Sequence, residues 1–305
     1  MIQVEHLDFY YDQQQVLHGI HLSFERGTVT GLVGANGAGK STLMRCIAGL
    51  ERPQNGQVLW RGVPIFSQLR DYFRHIGYLP DSFGLMNGLN VLQCLSYAAR
   101  ARGVSQSALP EVLERTLHLL NLTEKAYADV RHLSRGQKQR VGIGQIIISS
   151  PEFLLLDEPA SGLDPEARHH LSLLIKQLQQ EGMTLLVSSH ILSELDEYCT
   201  HMLAINEGRV ISHQTLQASQ AWQWVHVEWV NEQSALGVLR NVPMIEEFKV
   251  LERGALMKIV AGDKARAELV NCLLGQGVMV SAIYEEKVSL LGSYQSSLQS
   301  IREVQ

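Results

Sequence analysis

The sequence predicts an α/β fold: a mainly parallel core sheet, an antiparallel β subdomain before it, a helical subdomain inserted into it, and a small C-terminal α+β ferredoxin-like domain. Three observations predict it. The apolar run Val29–Val33 leads through a glycine-rich stretch, Gly34-Ala35-Asn36-Gly37-Ala38-Gly39, into a helical stretch from Ser41 to Leu50. Short apolar runs then alternate with helical patterns as far as Ile211, as parallel strands joined by helices do. After about Gln214 the order becomes β-α-β-β-α-β, that of a ferredoxin-like domain.

Each element follows from its own pattern. Ile2, Val4 and His6, then Leu7, Phe9 and Tyr11, alternate as in a strand; a turn falls at Asp12–Gln15, and Gly19–Phe24 reads as a second strand. Gln57–Trp60 and Ile76–Leu79 are further short strands. From Leu89 to about Leu122 the apolar spacing is helical (Val91, Leu92, Leu95, then Val112, Leu113, Leu117, Leu120). Ser134–Ser149 is a further helix closed by Pro151, and together these segments make a helical subdomain over about 85–150. Phe153–Leu156 is continuously apolar, as in a strand buried on both faces. Pro165–Gln180 reads as a helix, Thr184–Ser188 as a strand, Ile191–Tyr198 as a helix, and His201–Ile205 with Arg209–Ile211 as a hairpin around Asn206-Glu207-Gly208. In the C-terminal domain, over 215–290, Trp224–Val230, Ile245–Leu251, Ala255–Val260 and Val278–Tyr284 read as strands and Gln233–Leu239 and Lys264–Leu274 as helices. A polar helical tail covers 291–305. Trp222, Trp224 and Trp229 are candidates for a core, a pocket or an interface there.

Composition narrows the function classes. The chain has 305 residues, enough for two domains, and a net charge of −5, which gives no overall pull toward nucleic acid or anionic lipid. Its four cysteines, Cys46, Cys94, Cys199 and Cys272, are scattered without a C-x-x-C pair, the pattern of free thiols in a reducing compartment. No apolar run reaches the roughly 18 residues of a membrane span, and no signal peptide is visible. His169 and His170 are adjacent on a helix and share no face, so they read as surface residues and not as metal ligands.

The chemistry begins at residues 34–42. Gly34 to Ser41 is the G-x-x-x-x-G-K-[ST] phosphate-binding loop, in its required setting of strand, loop and helix. Glycines at 34, 37 and 39, with Asn36 between them, let backbone N–H groups approach a polyphosphate, and the helix start adds partial positive charge. Lys40 reaches the β- and γ-phosphates, the Ser41 hydroxyl ligates Mg²⁺, and Thr42 follows in the same turn. Downstream, Phe153–Leu156 ends in Asp157 and Glu158. Acids at the C-terminal end of an α/β strand face the ligand crevice. Asp157 suits Mg²⁺ and Glu158 suits the base that polarises the attacking water.

Leu133-Ser134-Arg135-Gly136-Gln137, followed by Lys138-Gln139-Arg140 and ending 20 positions before Asp157 (157 − 137), resembles the signature motif of ATP-binding cassette (ABC) ATPases. Ser161-Gly162-Leu163-Asp164 looks like the family's D-loop, and His190, in Val187-Ser188-Ser189-His190, looks like its switch histidine. Tyr11 sits where the family places an aromatic that stacks on adenine, with Phe9 and Tyr10 as the other rings that could serve. The resemblance covers about residues 1 to 215. It implies ATP and Mg²⁺ as ligands, catalysis by Glu158, His190 and Lys40, and nucleotide contacts from Ser134, Gly136, Gln137 and Asp164. It also implies a head-to-tail pair of cassettes, a homodimer or a pair with a paralogue, in which Ser134 and Gly136 of one subunit meet the γ-phosphate held by Lys40 of the other. One position departs from the pattern: Asp81, in Ile76-Gly77-Tyr78-Leu79-Pro80-Asp81, stands where the family carries a glutamine, so its Mg²⁺ geometry or its coupling differs.

The phosphate loop and Gly162–Arg168 look most like exporters whose integral membrane permease is a separate chain, which would hold this protein on the cytoplasmic side of the cell membrane. An importer ATPase with residues 215–290 as a regulatory domain is the alternative. A cassette acting on ribosomes or DNA is disfavoured by the single cassette, the absence of a long coiled coil and the negative charge, so no nucleic-acid partner is expected.

Overall fold

The structure, a computed structural model, describes residues 2–216, 222–230, 239, 242, 244–251 and 254–285. The chain forms two compact units, Met1–Gln214 and Thr215–Ser289.

In the first unit, β1 (Ile2–Tyr11) pairs antiparallel with β2 (Gln14–Ser23) and with β4 (Asn55–Trp60), which carries the short edge strand β5 (Val63–Pro64). The phase slip visible in the sequence between Val4 and Leu7 is a β-bulge: the register shifts there on both sides and His6 takes a φ of 46°. The slip keeps Ile2, Val4, Leu7 and Phe9 all in the core. Gly56 fits against the bulge because a Cβ there would lie 2.3 Å from the Glu5 and His6 carbonyl oxygens.

The second sheet has the order β10-β9-β3-β8-β7-β6. Its members are β3 (Val29–Val33), β6 (Ile76–Leu79), β7 (Phe153–Leu156), β8 (Thr184–Ser188), β9 (His201–Asn206) and β10 (Arg209–Thr215), and β9-β3-β8-β7-β6 are mutually parallel. Every residue of β3, β7 and β8 is buried, which is why β7 reads as an unbroken apolar run and the other two admit only the small polar residues Thr30, Thr184 and Ser188. One core joins the sheets to α1 (Lys40–Ile47): Ile2, Leu17, Leu43, Ile47, Phe153 and Leu186 pack in it.

The helical subdomain is α3 (Val91–Ala101), α4 (Leu109–Leu119) and α5 (Arg135–Ile147). The single long helical pattern expected over Leu89–Leu122 is broken after Ala101, where Gly103 takes a φ of 83°. Asn90 caps α3 in a capping box with Gln93. Glycines on α5 let neighbours come close: a Cβ at Gly144 would lie 2.5 Å from Leu120 Cδ1, and one at Gly142 would lie 2.5 Å from the Phe83 ring. Phe83 belongs to the loop after β6, so that loop rests on α5. Then come α6 (Pro165–Gln180) and a short α7 (Leu192–Leu195), four residues where the sequence predicted eight. A further helix, not expected from the sequence, is α2 (Leu69–His75); its apolar side chains are Leu69, Tyr72 and Phe73, of which Tyr72 is the buried anchor and donates to Ile47 O at 2.6 Å.

The second unit holds β11 (Trp222–Trp229), β12 (Ile245–Leu251), β13 (Gly254–Val260), α8 (Asp263–Gly275) and β14 (Val280–Glu285). Its sheet order, β12-β13-β11-β14, antiparallel throughout, is the ferredoxin-like arrangement that was expected. Val225, Val227, Trp229, Met257, Ile259, Leu269 and Leu273 fill its core. Trp229 is therefore core, while Trp224 lies on the other face under Lys249, 5.6 Å from the ring centroid. The side chain of Trp222, most of the helix expected over Gln233–Leu239 and the tail over 291–305 lie outside the described residues. All four cysteines are free. No helix among the described residues is long and apolar enough to cross a membrane.

Candidate functional site

Parallel strands bring their C-terminal ends to one edge, so the segments after β3, β6, β7 and β8 converge although they are far apart in sequence. Between them lies a cavity of about 460 Å³ lined by Asn36, Gly37, Gly39, Lys40, Ser41, Thr42, Asp81, Glu158 and His190, together with Val16 and Ser161. Ten residues of the motifs quoted above, Ser161 among them, thus meet in one place.

The loop after β3 is shaped by its glycines. Gly34 passes so close to the chain that a Cβ would lie 2.4 Å from Ile205 O. Gly39, the residue before α1, has a φ of 101°, where only glycine is unstrained. Lys40 is 7% exposed. Its ammonium donates to Gly34 O at 2.9 Å and Ala35 O at 3.2 Å, and lies 3.8 Å from Glu158 Oε1. The loop therefore holds its own cation over the cavity floor.

Asp157 is 3% exposed and fixed by its neighbours. Ser188 Oγ donates to Asp157 Oδ1 at 2.6 Å and accepts the Glu158 N–H at 2.8 Å, so one hydroxyl at the end of β8 clamps both acids. On the other side, burial pushes the Tyr78 phenol up to about 12, and the Asp157 carboxylate hydrogen-bonded to it adds to the shift. Neither Ser188 nor Tyr78 carries a motif signal; only the neighbouring parallel strands reveal their contacts.

Glu158 sits at a φ of 49°, a left-handed conformation that costs about 1–3 kcal/mol in a non-glycine residue. It turns the carboxylate away from the strand and into the cavity. Glu158 Oε2 lies 2.6 Å from His190 Nδ1. A carboxylate only accepts, so the histidine proton belongs on Nδ1 in this contact.

Other expected residues lie elsewhere on the same chain. Ser134 and Gln137 form a capping box at the start of α5, each side chain bonded to the other's backbone N–H, at 3.2 and 2.9 Å. Gly136 abuts α6, where a Cβ would lie 2.7 Å from Ala167 Cβ. Asp164 caps α6 by accepting from Ala167 N at 2.8 Å. Tyr11 ends β1 with its ring 4.8 Å from Phe9 in an edge contact, 42% exposed, and is not among the cavity's lining residues. Val16 lines the cavity without having been singled out; it precedes Leu17 on β2, and its sequence carries no chemical signal.

Among the described residues no cluster of three or more His, Cys, Asp or Glu forms a metal cage. Mg²⁺ suits such a site, since it keeps several waters and takes one or two carboxylates with substrate phosphates. Of the oxygen donors expected from the sequence, the Ser41 hydroxyl and the Asp81 carboxylate line the cavity, whereas the buried Asp157 carboxylate does not. Exchanging Asp81 for the family's glutamine, Asp81→Gln, removes one negative charge from the cavity wall. We expect nucleotide affinity within about threefold of wild type, because Lys40 and the loop glycines are untouched, and a changed number of ATP molecules hydrolysed per transport event. A large loss of MgATP binding in a titration would show instead that Asp81 is a primary metal ligand.

This arrangement of phosphate loop, paired acids and histidine belongs to a cassette ATPase, and comparison with known proteins agrees. The ABC transporter family profile matches residues 17–161. The chain is 32% identical over 212 residues to the Nod factor export ATP-binding protein I of Cupriavidus metallidurans, covering 70% of each. It is 28% identical over 295 residues to the methionine import ATP-binding protein MetN of Carboxydothermus hydrogenoformans, covering 93% of this chain and 88% of the relative. Among solved structures, the ATP-binding subunit of an ABC transporter superposes with a TM-score of 0.65 at 32% identity, over 71% of this chain and 90% of that one. The chain belongs to the ABC transporter ATP-binding family: it is an ATP-binding and ATP-hydrolysing subunit with the cassette fold.

Proposed function

We propose that this subunit powers export through a separate membrane permease, with ATP closing a pair of cassettes and hydrolysis reopening them. The observation that carries the ATP-driven part is the meeting of Lys40, Glu158 and His190 in one cavity with the phosphate loop. Lys40 neutralises the terminal phosphates, Glu158 takes the proton of the attacking water, and His190 holds Glu158 in place. Ser41 and Asp157 would hold Mg²⁺, with Asp81 beside it as a charge on the cavity wall rather than a primary ligand, and the ion would supply charge neutralisation at the phosphates. Ser134 and Gly136, too far along the fold to line their own cavity, serve the cavity of a second cassette. That cassette is a second copy of this chain or a paralogue. Tyr11, exposed at the end of β1, would stack on adenine, as the family resemblance implies.

Support for a permease comes from the surface. A groove of about 840 Å³ beside the site is lined by Leu50, Phe73, Ile76, Tyr78 and the arginines 70, 74 and 102. Leu50 and Phe73 are exposed there at 55% and 42%, so apolar surface is left for a partner. Attachment through it would place the protein on the inner face of the membrane.

Export rests on the Nod factor relative and on the exporter-like loop sequences. Import has one observation of its own: the methionine-import relative aligns over 93% of the chain, into the second unit. Inverted membrane vesicles carrying the subunit with its permease separate the two. ATP-dependent accumulation of the permease's cargo in the vesicles is the expected result. Loss of methionine uptake by intact cells on deleting the subunit, without vesicle accumulation, would establish import.

A further inference from the structure

We propose that Arg168 and Glu194 form a latch that ties the His190 loop to the Ser161–Asp164 loop, and so are positioning residues for hydrolysis. The inference rests on the reading of Glu158 and His190 given above. His190 is half exposed, and its ring is held only by the Glu158 contact among the described residues. Its position therefore depends on its backbone. On the preceding residue, the buried Ser189 hydroxyl accepts from Ile191 N at 2.9 Å and donates to Glu194 Oε2 at 3.2 Å. The other oxygen of Glu194 lies 3.4 Å from Arg168 Nη1. It makes no hydrogen bond among the described residues, so its charge leans on that guanidinium. From the same guanidinium, Nε donates to Leu163 O at 3.0 Å. One planar fork thus spans two loops, donating to the backbone of one and pairing by charge with the carboxylate that fixes the other.

The second end of the latch is itself braced. Gly162, beside Leu163, has a φ of 65°, and a Cβ there would overlap the Arg135 guanidinium, 2.4 Å from Nη1. The start of α5 therefore rests on the loop that Arg168 grips. A displacement of that loop has a continuous polar route to His190, through Leu163 O, Arg168, Glu194 and Ser189. None of these groups lines the cavity, so the latch acts through His190 and Glu158 rather than on nucleotide.

The test is a double-mutant cycle in the full chain, reading steady-state ATP hydrolysis. Arg168→Met and Glu194→Gln should each lower kcat about tenfold, because a misplaced catalytic group loses rate without losing substrate. KM for ATP should stay within about twofold. The double variant should be no slower than the slower single variant, since both cut the same connection. Losses that multiply in the double variant, or single variants within about twofold of wild-type kcat, would overturn the latch. If the Met variant loses its fold, Arg168→Lys, which keeps the charge opposite Glu194 but not the bond to Leu163 O, enters the same cycle under the same criteria. Glu158→Gln is assayed in parallel: if it turns over at the wild-type rate, the base assignment fails, whereas an inactive Glu158→Gln beside fully active latch variants defeats the latch alone.

Discussion

Glu158→Gln should bind ATP with near wild-type affinity and turn it over about 10²–10⁴ times more slowly, the usual contribution of a positioned general base. The substitution is isosteric. Gln retains an oxygen that can accept from His190 Nδ1, and the backbone N–H bonded to Ser188 Oγ is unaffected. The left-handed backbone at position 158 is occupied equally well or badly by either side chain, so the fold has no reason to change. What disappears is the negative charge and the lone pair able to take a proton from water. Lys40 loses a carboxylate at 3.8 Å but keeps two carbonyl acceptors, so the phosphate loop stays in place. Because closure of the pair precedes hydrolysis in the proposed cycle, the variant should also elute as a dimer when ATP is present. Equilibrium nucleotide binding, phosphate release and gel filtration read the three parts separately. Multi-turnover hydrolysis within tenfold of wild type would remove Glu158 from the role of base.

How much of this was readable in advance depended on whether the signal was local. The buried parallel strands were, because both faces demand apolar side chains; Phe153–Leu156 and Thr184–Ser188 run as they were expected to. The bulge in β1 was also written in the sequence, as a change of phase after Val4. Helix α2 was not, since its stripe of Leu69, Tyr72 and Phe73 covers only seven residues, too short a window to fix a period. The break between α3 and α4 was marked by Gly103, by Ser105 and Ser107 and by Pro110 in the first turn of α4, but the apolar spacing stays helical on both sides and hides it. At the site, the segments that line the cavity could be named because each carries its chemistry in a few consecutive residues. The contacts that orient them could not. Ser188 reaches Asp157 across 31 positions, and Glu194 and Arg168 meet across a strand and a helix. Such pairs are ordinary polar residues until the sheet order is known.

Lys40→Met should cut the thermal stabilisation that ATP gives the wild-type protein to about a third. The ammonium is nearly enclosed, at 7% exposure, so its bonds to phosphate form away from bulk water. Losing one charge-assisted hydrogen bond of about 1.5–3 kcal/mol corresponds to a Kd raised by roughly ten- to a hundredfold. At an ATP concentration near a hundred times the wild-type Kd, the wild type gains about 2.7 kcal/mol from binding; with Kd raised about thirtyfold the variant gains only about 0.9 kcal/mol. Met is close to Lys in length and shape, so the aliphatic stem keeps its packing. Gly34 O and Ala35 O each lose a donor, and Glu158 keeps His190. The variant without ATP should therefore melt within a few degrees of the wild type, which separates lost binding from lost folding. Melting curves with and without ATP, alongside calorimetric titration, check both halves. An unchanged shift on adding ATP would mean that the loop glycines and the helix start hold the phosphates without Lys40, and that the carbonyl contacts seen here are its purpose: a brace for the loop rather than a hand on the nucleotide.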